Sequence, residues 1–164
     1  MSATPDRPGV IAPPPLIALA ALAAGLALDW LWPVNLLRDA LGFPGRVALG
    51  GLCVAAGLGL AIGAERTFHR LGTNAAPWKP ALRLAATGPY AYTYTRNPRY
   101  IGLGLFVLGL AVVLASDWTL ALLVPAALVL HYGVVKREER YLEAKFGEDY
   151  RAFKASVPRY GWRM

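Results

Sequence analysis

Cysteine is almost missing from this chain, and its scarcity narrows the chemistry at once. Cys53 stands alone inside an apolar run, so no intramolecular disulfide can form and a thiolate metal site is excluded. Histidine is nearly as scarce, and His69 and His131 have the wrong spacing for a metal-binding helix pair. There is no P-loop, no Gly-x-Ser-x-Gly elbow and no Cys/His nucleophile pair. Charge is thin as well. Only 16% of the 164 residues are charged, against roughly 25% in soluble domains.

What is abundant is apolar. Such residues make up 56% of the chain and gather in four segments: Leu16 to Leu31, Val47 to Ala64, Tyr100 to Ser116, and Trp118 to about Val135. Each runs sixteen to eighteen residues, near the short end of what crosses a roughly 30 Å hydrocarbon core. Buried soluble helices so apolar all round need a larger protein to cover them. The expected fold is therefore an all-α, polytopic membrane bundle of about four transmembrane helices, forming one domain over residues 1–164. Residues 1–64 supply two spans, and 65–164 supply a loop, a helical hairpin and a C-terminal amphipathic helix. A cleaved leader is the alternative for the first span, since Gly25-Leu26-Ala27 resembles a cleavage site. The Pro-rich stretch before it, with Arg7 offset by Asp6, argues for retention. Asp29 reads as a boundary residue rather than a proton relay.

The net charge of +7 does not point to nucleic acid, because the basic residues flank apolar spans instead of forming a basic face on a soluble scaffold. With four spans, the N-terminus, the 65–99 connection and the tail share one side. They hold fifteen of the 17 basic residues, leaving Arg38 and Arg46 opposite. The imbalance predicts a membrane protein with both termini and the working residues in the cytoplasm.

Ser116 and Asp117 join the last two spans, and either can cap the next helix. Trp118 suits the far interface, and Pro125 should kink its span or free a carbonyl. Gly57-Leu58-Gly59 suits close helix packing rather than phosphate binding. Beyond Val135 the pattern predicts a continued helix to about Val157. Its apolar positions Tyr141, Leu142, Phe146, Tyr150 and Phe153 form one face, which either lies on the membrane or folds back as a lid.

The hairpin has a chemical consequence. It returns the chain to its starting side, so Arg96-Asn97-Pro98-Arg99-Tyr100 and the Glu138/Glu139 pair meet one aqueous boundary. Asn97 is a favoured N-cap and Pro98 suits the first helical position. The freed N–H groups, flanked by Arg96 and Arg99, make a carboxylate or phosphate site. The plain alternative is a capped membrane helix with basic anchors, and Glu138 and Glu139 as solvated charges beside Arg137 and Arg140. His131 lies seven residues before Glu138, two turns along the same expected face. There it is either hydrogen-bonded or lining a polar cavity.

The segment Gly88-Pro89-Tyr90, then Arg96-Asn97-Pro98-Arg99-Tyr100-Ile101-Gly102, resembles the GxY…R[HN]PxYxG signature of the isoprenylcysteine carboxyl methyltransferase and phospholipid methyltransferase superfamily. The tail Arg137-Glu138-Glu139-Arg140-Tyr141-Leu142, with Phe146-Gly147-Glu148-Asp149-Tyr150 and Val157-Pro158-Arg159, resembles the family's EExxL…FGxxYxxYxxxVPR ending. The likeness covers roughly residues 72 to 162, and the first two spans carry little of it.

The resemblance implies S-adenosyl-L-methionine as cofactor, held by Tyr90, Asn97, Pro98, Arg99, Tyr100 and Glu138. The segment Leu82, Arg83, Leu84 and Ala85 takes the place of a further contact, matching poorly by residue type. It implies methyl transfer to a lipid-like or prenylated acceptor, with carboxyl O-methylation favoured, membrane lipids as surroundings, and no metal or nucleic-acid partner. Arg96 would help hold the cofactor's carboxylate, and His131 or Glu139 would serve as base for an amine acceptor. Three departures stand out. Asn97 replaces the commoner histidine. The interval Ala91 to Thr95 is two residues longer than in bacterial relatives, so Tyr90 and Tyr92 compete for one role. Val134 occupies the place of the substrate-binding arginine of eukaryotic prenylcysteine enzymes. A steroid-reductase-like NADPH enzyme also begins a helix with Asn-Pro-x-Tyr-x-Gly, but follows the glycine with an acid where Leu103 stands here. A non-enzymatic membrane scaffold is the other rival.

Overall fold

The computed structural model describes residues 6–74, 76–84 and 94–161. Those residues form helices and connections with no strand among them, a helical membrane bundle. The helices are α1 (Pro14–Leu31), the short α2 (Leu36–Ala40), α3 (Phe43–Leu71), α4 (Pro98–Leu114), α5 (Asp117–Leu130) and α6 (Lys136–Ser156). A π-helical turn, His131–Val135, joins α5 to α6. Three stretches are long and apolar enough to cross a membrane: α1, α3 and the helical stretch that opens at Asp117 and includes α5. The apolar α4 is shorter, at 17 residues.

α4 packs against α3 through two reciprocal glycine pairs. A Cβ on Gly57 would stand 2.6 Å from the Gly102 carbonyl oxygen, and one on Gly109 2.5 Å from that of Gly50. Within each helix the two glycines are seven residues apart, two turns on one face, so the backbones can close to near contact. Gly59 has open space beside it and takes no part. The Gly57-Leu58-Gly59 stretch thus serves packing through its first glycine alone.

α3 is longer than its apolar core. At 29 residues it extends about 43 Å, and its last two turns rise past the start of α4. It stops where Gly72 takes a left-handed conformation (φ 61°) and the Gly72 and Thr73 N–H groups return to the His69 and Phe68 carbonyls, 3.1 Å each. This projecting end carries Ala64, Phe68 and Leu71, against which Tyr150, Phe153 and Val157 of the tail are packed. The tail's apolar face therefore covers protein rather than lying on lipid.

That return depends on Gly147. The tail was expected as one helix, but Gly147 has φ 53° and ψ −119° and breaks α6 in two. Side-chain-bearing residues are strained at such a φ, whereas glycine is not. The break turns residues 148–160 back over the bundle.

The opposite end is knitted by Asp29. Its carboxylate accepts from the Ser116 hydroxyl and, at 3.4 Å, from the Trp118 N–H. Ser116 itself caps α5, accepting from the Thr119 N–H at 3.2 Å, while Trp118 Nε1 donates to the Trp32 carbonyl at 2.8 Å. The Ser116 hydroxyl thus both caps α5 and donates to Asp29, linking the end of α1 to the start of α5. Pro125 sits inside α5 without ending it. The helical irregularity comes later, at the π turn, where the Gly133 carbonyl is free to accept from the Ile11 N–H at 3.1 Å. This bond ties the N-terminal segment to the same end of the bundle as the tail.

Candidate active site

Four stretches converge on that end: the projecting turns of α3, the connection 73–84, the start of α4, and α6 with its returning tail. Together they line a cavity with Phe68, Asn74, Arg83, Leu84, Arg96, Asn97, Pro98, Arg99, Tyr100, Glu138, Glu139 and Tyr150 among its walls. It encloses about 70 Å³, room for roughly five water-sized groups at 10–15 Å³ each. That is the size of a polar ligand end.

The start of α4 is set by Asn97 and Pro98, though not as the sequence suggests. Asn97 occupies the N-cap position, and its carbonyl accepts from the Tyr100 and Ile101 N–H groups. Its side chain makes no capping bond. Instead Asn97 Nδ2 donates to the Arg159 carbonyl at 3.3 Å, and the Thr95 hydroxyl donates to the same oxygen at 2.6 Å. The Arg96 N–H donates to the Pro158 carbonyl at 2.9 Å. The tail has captured the side chain that would otherwise cap the helix, leaving the N–H groups of the first turn without it.

Glu139 lies beneath this strap, 7% exposed. Arg159 grips it with two bonds, Nε at 2.9 Å and Nη2 at 2.7 Å, and Arg96 Nη2 pairs with it at 3.2 Å. The two expected partners, Arg137 and Arg140, are elsewhere: Arg137 donates to the Gly9 carbonyl and Arg140 to that of Lys136. Both carboxylate oxygens are therefore taken up by guanidiniums. Glu139 thereby joins the start of α4 to the returning tail.

Glu138 differs in every respect. It accepts from the Tyr100 hydroxyl at 2.6 Å. Burial raises its carboxyl above the ordinary carboxylate range, opposed by the Tyr100 hydrogen bond and the nearby Arg99 charge. Arg96, only 7% exposed along its side chain, has Nε and Nη1 buried with no hydrogen-bond partner among the described residues. Arg99 borders the cavity with its guanidinium 5.7 Å from the centre of the Phe68 ring. The wall thus carries a carboxylate seeking a cation and a guanidinium with donors to spare.

The connection over the cavity is pinned by hydrogen bonds and by Leu84, which packs against the Ala64, Tyr150 and Phe153 cluster. The Leu82 and Arg83 N–H groups donate to the Thr73 hydroxyl, Asn74 Nδ2 donates to the Pro80 carbonyl, and the Ala81 N–H donates to the Tyr141 hydroxyl. Arg83 and Leu84 reach the wall; Leu82 is 61% exposed and does not. Ala85, Tyr90 and Tyr92 lie outside the described residues.

A second cavity opens beside the first. It occupies about 550 Å³ between α1, α4 and α5, and its lining is almost wholly apolar, closed at the site end by Tyr100, His131, Tyr132 and Tyr160. Tyr100 lines both spaces. His131 belongs to this second one, bonded through Nδ1 to the Tyr160 hydroxyl at 2.7 Å. His131 and Glu138 therefore do not share a face. The intervening π turn adds about one residue of phase, a rotation of about 100°, which turns His131 toward the cleft and Glu138 toward the polar cavity. Val134, in the place of the arginine of prenylcysteine enzymes, is fully buried against Tyr100 and Val135.

Sequence reasoning missed Thr95, Tyr160 and the pairing role of Arg159. The only signal for them was the Val157-Pro158-Arg159 ending, where the helix has stopped and the Pro158 and Arg159 carbonyls are left for Arg96, Thr95 and Asn97.

A family model described as phospholipid methyltransferase matches residues 45–149, reaching back through α3, which sequence inspection had left without signal. No curated protein and no solved structure matches the chain. The matched span is well over half of the 164 residues and contains the Arg96-Asn97-Pro98-Arg99-Tyr100 segment and the Glu138/Glu139 pair that line the polar cavity, so the chain belongs to the phospholipid methyltransferase family.

Proposed function

We propose that this membrane methyltransferase moves a methyl group from S-adenosyl-L-methionine to a lipid-like acceptor, working at the cytoplasmic face of a bacterial-type inner membrane. One observation carries the reading. Tyr100 stands between a small polar cavity and a large apolar cleft, which is the arrangement a polar donor and a lipid acceptor require.

The cofactor carries an ammonium and a carboxylate at one end, and the residues present fit it. Glu138 would take the ammonium or a ribose hydroxyl; the spare donors of Arg96, with Arg99, would take the carboxylate. Asn97, Pro98, Arg83 and Leu84 would complete the walls, with Tyr90 and Ala85 contributing as the family pattern suggests. When bound, the group supplies an electrophilic methyl on a sulfonium. The protein's own contribution is placement: α4 and α6 fix the polar end, Tyr150 and Phe153 keep water out, and the cleft admits an acceptor sideways from the lipid. Burial drives the Tyr150 phenol well above its usual range, so it stays neutral. Among the described residues, fourteen of the 16 basic ones belong to the segments that meet at this end, which supports the cytoplasmic orientation.

Purified protein in detergent, incubated separately with radiolabelled S-adenosylmethionine and with NADPH, should retain the first saturably and not the second. Retention of NADPH alone would favour a reductase, and retention of neither a scaffold.

A further inference from the structure

Resting on that reading, we infer that the acceptor presents an uncharged protic group, with His131 as the residue that removes its proton and Tyr160 as the residue that positions His131. No Lys, Arg, Asp or Glu lines the apolar cleft among the described residues. Arg159 and Lys136, the cations whose charge reaches His131, are both engaged: Arg159 by Glu139, and Lys136 over the Tyr132 ring at 4.9 Å. An acceptor carboxylate or phosphate at the cleft's end would therefore be desolvated without a counter-ion, an expensive arrangement. A phenol, thiol or neutral amine would not.

Such groups need a base, and the choice is narrow. Glu139 is saturated by two guanidiniums, and Glu138 lines the other cavity. His131 lies at the polar end of the cleft with one ring nitrogen already committed to Tyr160. With the Nδ1–H donating to the Tyr160 oxygen, Nε2 keeps its lone pair. The step balances: the acceptor X–H gives its proton to Nε2, an X–C bond forms to the methyl carbon, and the S–C electron pair stays on sulfur as a neutral thioether. From Tyr100 to Val107 the cleft follows α4 for about 10 Å, accommodating an alkyl chain behind the reacting group.

The test uses the full chain in detergent with 4-dodecylphenol, dodecanethiol, dodecylamine and dodecanoate. Label from S-adenosylmethionine should pass to at least one of the first three and not to dodecanoate. His131→Gln should lower kcat roughly 100-fold or more while cofactor affinity by calorimetry stays within about twofold. Without cofactor, ¹⁵N-histidine NMR should show His131 as the Nδ1–H tautomer, and Tyr160→Phe should mix the tautomers and lower kcat at unchanged cofactor affinity. Methylation of dodecanoate, labelling of none of the three protic probes, an Nε2–H tautomer in the parent protein, or full activity in His131→Gln overturns the inference. Failure to bind S-adenosylmethionine at all instead sinks the function on which it rests.

Discussion

Glu138 and Glu139 are neighbours in the chain and opposites in circumstance. Around Glu139 the protein has spent two arginines, one of them in a bidentate grip, and has closed the tail over the result. Around Glu138 it has placed one phenol and a cavity. The first region is satisfied internally and gains nothing from a ligand. The second is left with a half-buried carboxylate whose desolvation raises it above the ordinary carboxylate range. Two regions built from the same residue type thus differ in their surroundings: one ties the tail to α4, and the other faces a cavity.

The comparison can be broken most forcefully at Glu139. Glu139→Ala would strand the buried Arg96 charge, at a cost of about 3–5 kcal/mol, read as a lowered midpoint of chemical unfolding in detergent. A change below about 1 kcal/mol would mean that the clamp is not structural. Gly147→Ala probes the same lid from its hinge. Forcing a Cβ into a positive-φ turn costs about 1–2 kcal/mol, and residues 148–160 should become cleavable by protease while the bundle itself stays intact. Equal protease resistance in the variant would show that the turn tolerates a side chain. The smallest effect is expected at Lys145. Its pairing with Asp6 at 2.6 Å is solvent-exposed, and Lys145→Ala should leave the unfolding midpoint unchanged within error. A clear loss there would erase the distinction drawn between buried and surface pairs.

Much of this arrangement was legible in the sequence, and the failures share a cause. The apolar runs marked α1, α4 and the core of α3, because bilayer-facing surface demands unbroken hydrophobicity whatever lies around it. Asn97-Pro98 and Ser116-Asp117 marked the hairpin, since helix ends are local events. The far end of α3 was not visible as a span, for Glu65 to Leu71 mixes charge with apolar residues; only the Gly72 stop marked its limit. The plain alternative set Glu139 beside Arg137 and Arg140, which are near in sequence, whereas its partners come from the start of α4 and the end of the tail. The Asn97 side chain was expected to cap and instead binds the Arg159 carbonyl, a competition between local and distant acceptors that no local rule decides. The π turn left no sequence signature, so His131 was placed on the face of Glu138. At Gly147 the warning was present, a glycine inside a helical pattern.

The central claim is that the space bounded by Glu138 and Arg96 holds the polar end of S-adenosyl-L-methionine. Calorimetric titration of that compound into the parent protein and Glu138→Gln, in detergent at neutral pH and again under mild acid, tests it most directly. Losing a charge-assisted hydrogen bond of about 1.5–3 kcal/mol should weaken binding on the order of 10–100-fold in the variant. In the parent, affinity should fall as pH drops through the raised Glu138 value, since the protonated acid no longer attracts an ammonium. Equal affinity in the two proteins, with the same pH dependence, would contradict the account.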